Sequence, residues 1–366
     1  PEVPGGVVFP DQEDSNWTWD DRAGAWYLHR FYREQPDLNV ANPRVRDEIS
    51  QIAGFWLQQG LSGFRVDAVP FLIEPVGLPE GAIEDPHELL ADLRAYLGRR
   101  RGDVVLLGEV NLPHAEQTPF FGTGRTELDL MFDFPVMQAM YLSLVREDAG
   151  PLAAALGRRP DPPDGCGWAV FVRNHDELTL DQLGEGERGE VMAALGPDPD
   201  LQLYGRGLRM RLPRMLGGDE RRLRMVYSLA FSLPGAPVLF YGEEIGMGEN
   251  RDIPGRLAVR SPMQWAAGPT AGFSDAAPGD LVRPVTDAPG YGVEIGLLVD
   301  TGVDCDAVLL CSVGIHDVDL IEHRARIIIP VTLKGDALGR AIFWKFDFRG
   351  RPRGVGRQRY GNSGDQ

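Results

Sequence analysis

The sequence predicts an α/β fold in which helices cover a parallel sheet. Three observations support this prediction. Helical patterns and short apolar runs alternate between about residue 42 and about residue 244. The apolar runs are nearly continuous, which is typical of strands that are buried on both faces. Acidic residues follow the ends of several runs, as they do where the strands of a (β/α)8 barrel meet its active-site face.

The first element is a helix that begins near Asn42. Val45, Ile49, Ile52 and Trp56 recur at the spacing of one helix face. Asn42 is a favourable N-cap, and the proline that follows it suits the first helical position. The pattern therefore predicts an amphipathic helix with these four apolar side chains on one face.

Five short apolar runs follow as predicted strands: LSGFRVDAV, DVVLLGEV, ELDLMFDF, GWAVFVRN and APVLFYGEE. Amphipathic helices are predicted around residues 89–97 and over residues 221–233. The runs end at or near Asp67, Glu109 and Asp176. A barrel has eight strands, so this interpretation assigns strands four to eight to this sequence and expects the first three upstream of it. An open doubly wound sheet is the alternative, and it would spread these residues along one edge.

Composition restricts the partners of the chain. Its 366 residues carry a formal net charge of −17, which repels phosphate backbones and anionic lipids, so we expect no nucleic acid and no membrane surface as a partner. No apolar run reaches the roughly 18 residues of a membrane-spanning helix. Cys166, Cys305 and Cys311 are widely spaced and match no metal-ligand pattern. We therefore expect a cytoplasmic chain.

Carboxylates at strand ends are what a retaining glycosidase needs, with the two reacting groups about 5 to 5.5 Å apart. Arg65 lies two residues before Asp67, so on a strand both side chains point to one face and the guanidinium favours the ionised carboxylate. Glu109 ends an apolar strand, where burial would raise its pKa and suit it to general acid catalysis. The alternatives are a structural ion pair for Arg65 and Asp67 and a solvated loop residue for Glu109.

His175 and Asp176 fit the recognition of a sugar, because the histidine can donate to hydroxyl groups and the aspartate can accept from two of them. A Ser/His/Asp hydrolase would use the same dipeptide, but the sequence contains no G-x-S-x-G segment. The six histidines never occur in metal-ligand spacing, so a histidine metal site is unsupported.

Several segments together resemble the α-amylase family of retaining glycoside hydrolases. The signature segments are QPDLN, GFRVDAVPFLIE, LLGEVN and FVRNHDE, in this order. The stretches RNHDELTL, YGEEIGMGEN and VRSPMQW are similar to the subgroup that interconverts maltose and trehalose. The resemblance runs from about residue 7 to about residue 292. It implies a (β/α)8 barrel, a glucosyl-enzyme intermediate and a small disaccharide substrate.

The resemblance also implies roles for single residues. Asp67 would be the nucleophile, Glu109 the acid/base and Asp176 the stabiliser of the transition state. Arg65 and His175 would contact the substrate.

Further implied substrate contacts are Phe71 and Glu177, with Phe71 standing where the subgroup usually has tyrosine. A structural calcium ion is implied near Asp37, Glu74 and the main-chain oxygens of Phe71 and Leu72, since calcium prefers oxygen ligands. No organic cofactor is implied.

The chain is thereby divided into three parts. Residues 1–40 are expected to be a remnant of an inserted subdomain, residues 41–292 the C-terminal part of the barrel, and residues 293–366 an atypical segment with strand-forming stretches and a disordered tail. The expected function is the interconversion of maltose and trehalose. The alternatives are hydrolysis of α-1,4-glucosides, as by an α-glucosidase or α-amylase, and an inactive fragment. The oligomeric state is left open.

Overall fold

The structure, a computed structural model, describes residues 7–9, 13–74 and 82–286 and two short strands further along the chain. The strands are β1 (Trp17–Asp20), β2 (Ala25–Leu28), β3 (Gly63–Val66), β4 (Val105–Gly108), β5 (Leu130–Phe132), β6 (Gly167–Phe171), β7 (Leu178–Thr179), β8 (Gln202–Leu203), β9 (Gly207–Leu208), β10 (Ala236–Val238), β11 (Arg326–Ile329) and β12 (Ile342–Lys345). The helices are α1 (Pro43–Gln58), α2 (Val69–Ile73), α3 (Glu88–Arg100), α4 (His114–Gln117), α5 (Phe134–Arg146), α6 (Gly150–Arg158), α7 (Glu185–Leu195), α8 (Leu212–Met215) and α9 (Glu220–Ser232).

A parallel sheet forms the centre of the molecule. In the described part of the chain it has five strands, in the order β10, β6, β5, β4, β3. Helices lie between most of these strands along the chain, as parallel neighbours require. The predicted α/β class is therefore confirmed. Each of the five predicted strands is present, although β5 is shorter than the apolar run that predicted it.

The described residues also form short antiparallel pairs that are separate from this sheet. β1 and β2 form a hairpin within the first forty residues, and β7 and β8 both pair with β9. In the segment 293–366, β11 pairs with β12 in antiparallel orientation. The other residues of that segment, including the predicted tail, lie outside the described residues.

Gly63 in β3 and Gly108 in β4 allow close contacts that a larger residue would prevent. A Cβ atom on Gly63 would lie 2.3 Å from the carbonyl oxygen of Val105 on the neighbouring strand. A Cβ atom on Gly108 would lie 2.3 Å from a methyl carbon of Leu128. Both distances are far shorter than a van der Waals contact. The close approach of β3 to β4 therefore depends on Gly63, and the packing of Leu128 against β4 depends on Gly108.

Apolar side chains fill the space between sheet and helices. The predicted apolar face of α3 is buried, with Leu89, Leu90, Leu93 and Leu97 packing in one cluster with Leu106 of β4. Each fully buried leucine contributes about 1.5 to 3 kcal/mol relative to an exposed one. Within the described ranges, no helix is both long enough and apolar enough to cross a bilayer.

Helix α1 begins as predicted but buries only part of its apolar face, on which Ile49 packs against the core. The Asn42 side chain accepts a hydrogen bond from the N–H two residues later at 3.0 Å, so it caps the helix. Ile52 and Trp56 are 52% and 47% exposed. The side of the helix that packs on α3 carries Gly54, where a Cβ atom would lie 2.9 Å from the Tyr96 hydroxyl. The periodicity identified an apolar face, but the side of α1 that packs closely on α3 is the one with the small residues Ala53 and Gly54.

Candidate active site

The ends of β3 and β4 place two carboxylates side by side. The strands pair in parallel with Val66 opposite Gly108. Asp67 and Glu109 come next, so they leave the sheet at the same edge. The pairing continues beyond the strands, because the Glu109 N–H donates to the Val66 oxygen and the Val69 N–H donates to the Glu109 oxygen, both at 3.0 Å. The structure therefore brings these two predicted site residues together.

Arg65 connects the two carboxylates. Its Nη1 donates to Asp67 Oδ1 at 2.5 Å, and its Nη2 donates to Glu109 Oε2 at 2.6 Å. The N–H of Ala68 donates to the same Glu109 oxygen at 3.2 Å. Ala68 has a φ of 42°, in the left-handed region that residues with a Cβ atom rarely adopt. This sharp turn directly after Asp67 is a local backbone strain of the kind that occurs at functional sites.

The two carboxylates have different environments. The Asp67 side chain is 73% exposed, whereas that of Glu109 is 17% exposed. Burial raises the pKa of Glu109 to about 7; the nearby Asp67 charge adds to this rise, and Arg65 opposes it. The direction of this shift agrees with the expectation from the apolar strand. Glu109 can therefore hold a proton near neutral pH, as a general acid must.

Asp176 follows β6 and lies among cationic groups. Arg256 Nη1 is 2.9 Å from Asp176 Oδ1, and Arg260 Nη2 donates to the same oxygen. The other oxygen, Oδ2, is 3.6 Å from His175 Nε2. Burial alone would raise the pKa of Asp176, but Arg256, His175 and Arg260 outweigh it and hold the pKa below its ordinary value. Asp176 is therefore ionised at neutral pH.

His175 faces both groups of carboxylates. Burial lowers its pKa, and the charges of Arg65 and Arg260 lower it further, against the opposite effects of Asp176 and Asp67. The imidazole is therefore neutral at pH 7 and can both donate and accept a hydrogen bond. β3 and β6 belong to the same parallel sheet, so their carboxyl ends lie at one edge, and the charges of Arg65 and Asp67 are near enough to act on His175.

The remaining predicted substrate contacts lie at the margins of this site. Glu177 is buried, and its Oε2 is 3.3 Å from Arg256 Nη2. Burial raises the pKa of Glu177, which Arg256 opposes. Phe71 lies in α2, and its ring contacts the edge of Phe31 at a centroid distance of 5.1 Å.

Arginines at Asp176 are the functional residues that the sequence did not reveal. Arg256 lies in the 3-10 turn Gly255–Val259, and Arg260 follows it directly. Arg173, which is buried, donates to the main-chain oxygen of Asp176. The available signal was a pair of arginines four residues apart in GRLAVRSPMQW. A loop has no periodicity from which the direction of these side chains can be inferred.

The implied calcium ligands converge on the guanidinium of Arg30. Its Nε donates to Asp37 Oδ2 at 2.5 Å, its Nη1 donates to Glu74 Oε2 at 3.0 Å, and its Nη2 donates to the main-chain oxygen of Phe71. Leu72, the fourth implied ligand, is the next residue in α2. Carboxylate and carbonyl oxygens suit calcium, so the donor chemistry fits the ion. Calcium could bind at this position only if Arg30 moved away.

Metal-binding clusters of another kind are not found: among the residues that the structure describes, no group of three or more His, Cys, Asp or Glu residues could hold a metal ion.

Comparison with protein families connects this geometry to known proteins. A family model described as alpha amylase, catalytic domain, matches residues 8–180. The match includes β3 to β6 and the carboxylates Asp67, Glu109 and Asp176. The chain belongs to the α-amylase family. The family resemblance that the short motifs predicted is thereby confirmed.

Trehalose synthases are among the relatives of this α-amylase-family chain. The trehalose synthase of Thermus thermophilus is 41% identical over 285 residues, which are 77% of this chain and 29% of that protein. The trehalose synthase of Pimelobacter sp. (strain R48) is 36% identical over 345 residues, which are 92% of this chain and 58% of that protein. The chain therefore spans less than two thirds of the length of each of these relatives.

Solved structures of the family support the fold. The α-amylase from H. orenii matches with a TM-score of 0.53 and 21% sequence identity, over 91% of this chain and 58% of that chain. At this identity the similarity concerns the fold alone, and it agrees with the α/β class of the described sheet.

Proposed function

We propose that this chain carries the catalytic residues of an enzyme that interconverts maltose and trehalose by a retaining double displacement. The observation that carries the proposal is the pair of carboxylates on Arg65. Asp67 is exposed, Glu109 has a pKa of about 7, and an ionised Asp176 shares the site. The relatives named trehalose synthase, at 36% and 41% identity, support the choice of substrate.

In the first step, an Asp67 oxygen attacks C1 of the non-reducing glucosyl unit of maltose. The bond from C1 to the glycosidic oxygen breaks, and Glu109 donates its proton to that oxygen, which leaves as part of glucose. The Asp67 carboxylate is now an ester of the glucosyl unit. Arg65 holds both carboxylates in place, so the nucleophile and the acid keep a fixed relative position.

In the second step, the released glucose turns within the site and attacks C1 through its anomeric hydroxyl. Glu109 accepts the hydroxyl proton, the ester bond to Asp67 breaks, and trehalose forms. Asp176 stabilises the positive charge that develops on the sugar in both steps. Two arginines hold its Oδ1, so we assign Oδ2 to the sugar hydroxyls. From the sequence, the whole carboxylate was expected to accept from the sugar.

Hydrolysis is the second candidate activity. Asp67 is 73% exposed, so water can reach an ester formed on it. If water attacks before the released glucose does, the second product is glucose instead of trehalose. We therefore expect this chain by itself to produce more glucose than an enzyme with a closed site.

We further propose that β3, β4, β5, β6 and β10 are strands four to eight of a (β/α)8 barrel. Two facts support this assignment. The strands are parallel, and in the described residues the outer strands β3 and β10 each pair on one side. The proposed divisions remain residues 1–40, 41–292 and 293–366. The calcium ion and the cytoplasmic location also remain predictions.

Incubation with maltose tests the proposed function. This chain, and a form extended upstream to a complete barrel, are incubated with maltose, and trehalose and glucose are quantified by chromatography. We expect trehalose in excess of glucose from the extended form, and no product from its Asp67→Asn variant. Asp103→Asn, which removes a carboxylate that pairs with Arg101 away from the site, is the matched control. The proposal is wrong if neither product forms, or if Asp67→Asn retains full activity.

A further inference from the structure

We propose that Phe9, Tyr32 and Tyr204 form an aromatic cage that positions Arg256, and that Arg256 in turn positions the Asp176 carboxylate. The cage residues and Arg256 are positioning residues, since they act through Asp176. This inference rests on the proposed function, because it gives the cage a part in the reaction assigned to Asp176.

The three rings surround the guanidinium at cation–π distances. The Arg256 Cζ atom lies 4.6 Å from the centroid of Phe9, 5.9 Å from that of Tyr204 and 6.0 Å from that of Tyr32. The rings also contact one another, since the ring centroid of Phe9 lies 4.7 Å from that of Tyr32 and 4.8 Å from that of Tyr204. The two tyrosine hydroxyl oxygens are 3.1 Å apart, within hydrogen-bond distance. The cage is therefore one packed unit.

Arg256 depends on this cage more than its neighbour Arg260 does. Arg260 Nε donates to the main-chain oxygen of His175 at 2.8 Å, so the backbone fixes its guanidinium. The Nε of Arg256 is buried and has no hydrogen-bond partner in the described structure. Its other nitrogens face Asp176 and Glu177. The rings are therefore what fixes the far side of the Arg256 guanidinium.

The turn that carries Tyr204 is conformationally costly. It joins β8 to β9, and Tyr204 has a φ of 56°, followed by Gly205 with a φ of 62°. Such turns favour asparagine or glycine at both positions, and a tyrosine there is strained. Arg206 secures the turn by donating to the main-chain oxygen of Val8 at 3.3 Å. Backbone strain of this kind is retained where the side chain has a task.

The cage also has an electrostatic effect. Its rings exclude water from one side of Arg256, which strengthens the attraction between the guanidinium and Asp176 in their low-dielectric surroundings. The groups that face Asp176 are the cations Arg256 and Arg260 and the titratable imidazole of His175, with Glu177 beyond Arg256. Loss of the cage would weaken the contribution of Arg256 and leave that of Arg260.

Titration of Asp176 tests the inference without the need for activity. The carboxyl carbons of the aspartates are labelled with 13C in this chain, and the Asp176 signal is assigned by its loss in Asp176→Asn. Phe9→Leu and Tyr204→Gly remove one ring each, and glycine suits the left-handed turn, so the second variant should fold. We expect the Asp176 midpoint to rise by about half a pH unit in both variants. Tyr204→Phe keeps the ring and should restore the wild-type midpoint.

Kinetics supply the second measurement. With maltose as substrate, we expect Tyr204→Gly to lower kcat about tenfold with KM changed less than about threefold, because the cage acts on the transition state through Asp176. Trp26→Leu, which removes an exposed ring of the N-terminal hairpin, is the control. An unchanged Asp176 midpoint in folded Phe9→Leu and Tyr204→Gly would overturn the inference. A wild-type chain that consumes no maltose would instead contradict the proposed function, and the titration would still decide the role of the cage.

Discussion

Glu109 and Asp176, which lie in the two halves of the candidate active site, differ in protonation although both are largely buried carboxyl groups beside arginines. At the ends of β3 and β4, one arginine serves two carboxylates, and burial raises the pKa of Glu109 to about 7. After β6, two arginines serve Asp176, and together with His175 they outweigh burial and hold its pKa low. Burial acts in the same direction in both halves. The two arginines that contact Asp176 outweigh burial there, whereas the one arginine that Asp67 and Glu109 share does not outweigh it at Glu109.

Removal of the acid is expected to have the largest effect. Glu109→Gln cannot donate a proton, so we expect kcat for maltose to fall by about 100-fold to 10,000-fold. The loss should be much smaller with α-glucosyl fluoride, whose leaving group needs no proton. Steady-state kinetics with both substrates measure the difference. Glu116→Gln, at an exposed position of α4, is the matched control. Equal losses with both substrates would contradict the role of Glu109.

Removal of Arg65 should shift the pH dependence of kcat/KM for maltose. The acid must be protonated, so kcat/KM for maltose should fall as the pH rises through about 7, the pKa of Glu109. Arg65→Met removes the cation that lowers this pKa, so the alkaline limb should move to higher pH. We also expect an activity loss of about 10-fold to 100-fold from poorer positioning. An alkaline limb that stays in place would show that Arg65 does not control the protonation of Glu109.

Glu109→Gln, which should lower activity, should raise stability at alkaline pH. The pKa of Glu109 rises from 4.5 to about 7 on folding, so its contribution to stability is present below pH 4.5 and is lost as the pH rises through about 7. Glu109→Gln has no charge to bury and should be more stable than wild type at pH 8 by up to about 3 kcal/mol. Urea unfolding at pH 4.5 and pH 8 measures this difference. A gain of equal size at both pH values would point to a cause other than ionisation.

A third group of arginine and carboxylates surrounds Arg30. Here we expect the smallest of the predicted effects. One arginine again serves two carboxylates, Asp37 and Glu74. Such a site retains negative charge, so we expect millimolar calcium to displace Arg30 and raise the melting temperature by about 2 to 4 °C. A chelator should reverse the rise, and Asp37→Asn should abolish it. Identical melting curves with calcium and with chelator would mean that Arg30 remains the cation of this cluster.

The sequence predicted those parts of the site that follow from strand ends. Asp67 and Glu109 were found because an apolar run indicates where a parallel strand stops, and register then places neighbouring ends together. The arginines at Asp176 were not found because their positions depend on the path of a loop without periodicity. The exposure of Ile52 and Trp56 on the apolar face of α1 was unexpected for a related reason. Periodicity reveals the apolar face of a helix, but only the neighbouring elements determine which face is covered.

The contact between Gly63 and the Val105 oxygen has a consequence for mutational screening. Any side chain at position 63 would push β3 away from β4 and separate Asp67 from Glu109, although the residue lies at the opposite end of the strand from both. Gly63→Ala should therefore reduce turnover without touching a sugar. A screen scored by activity alone would assign residue 63 to the active site, and a parallel readout of folded protein is needed to recognise it as a spacer between strands.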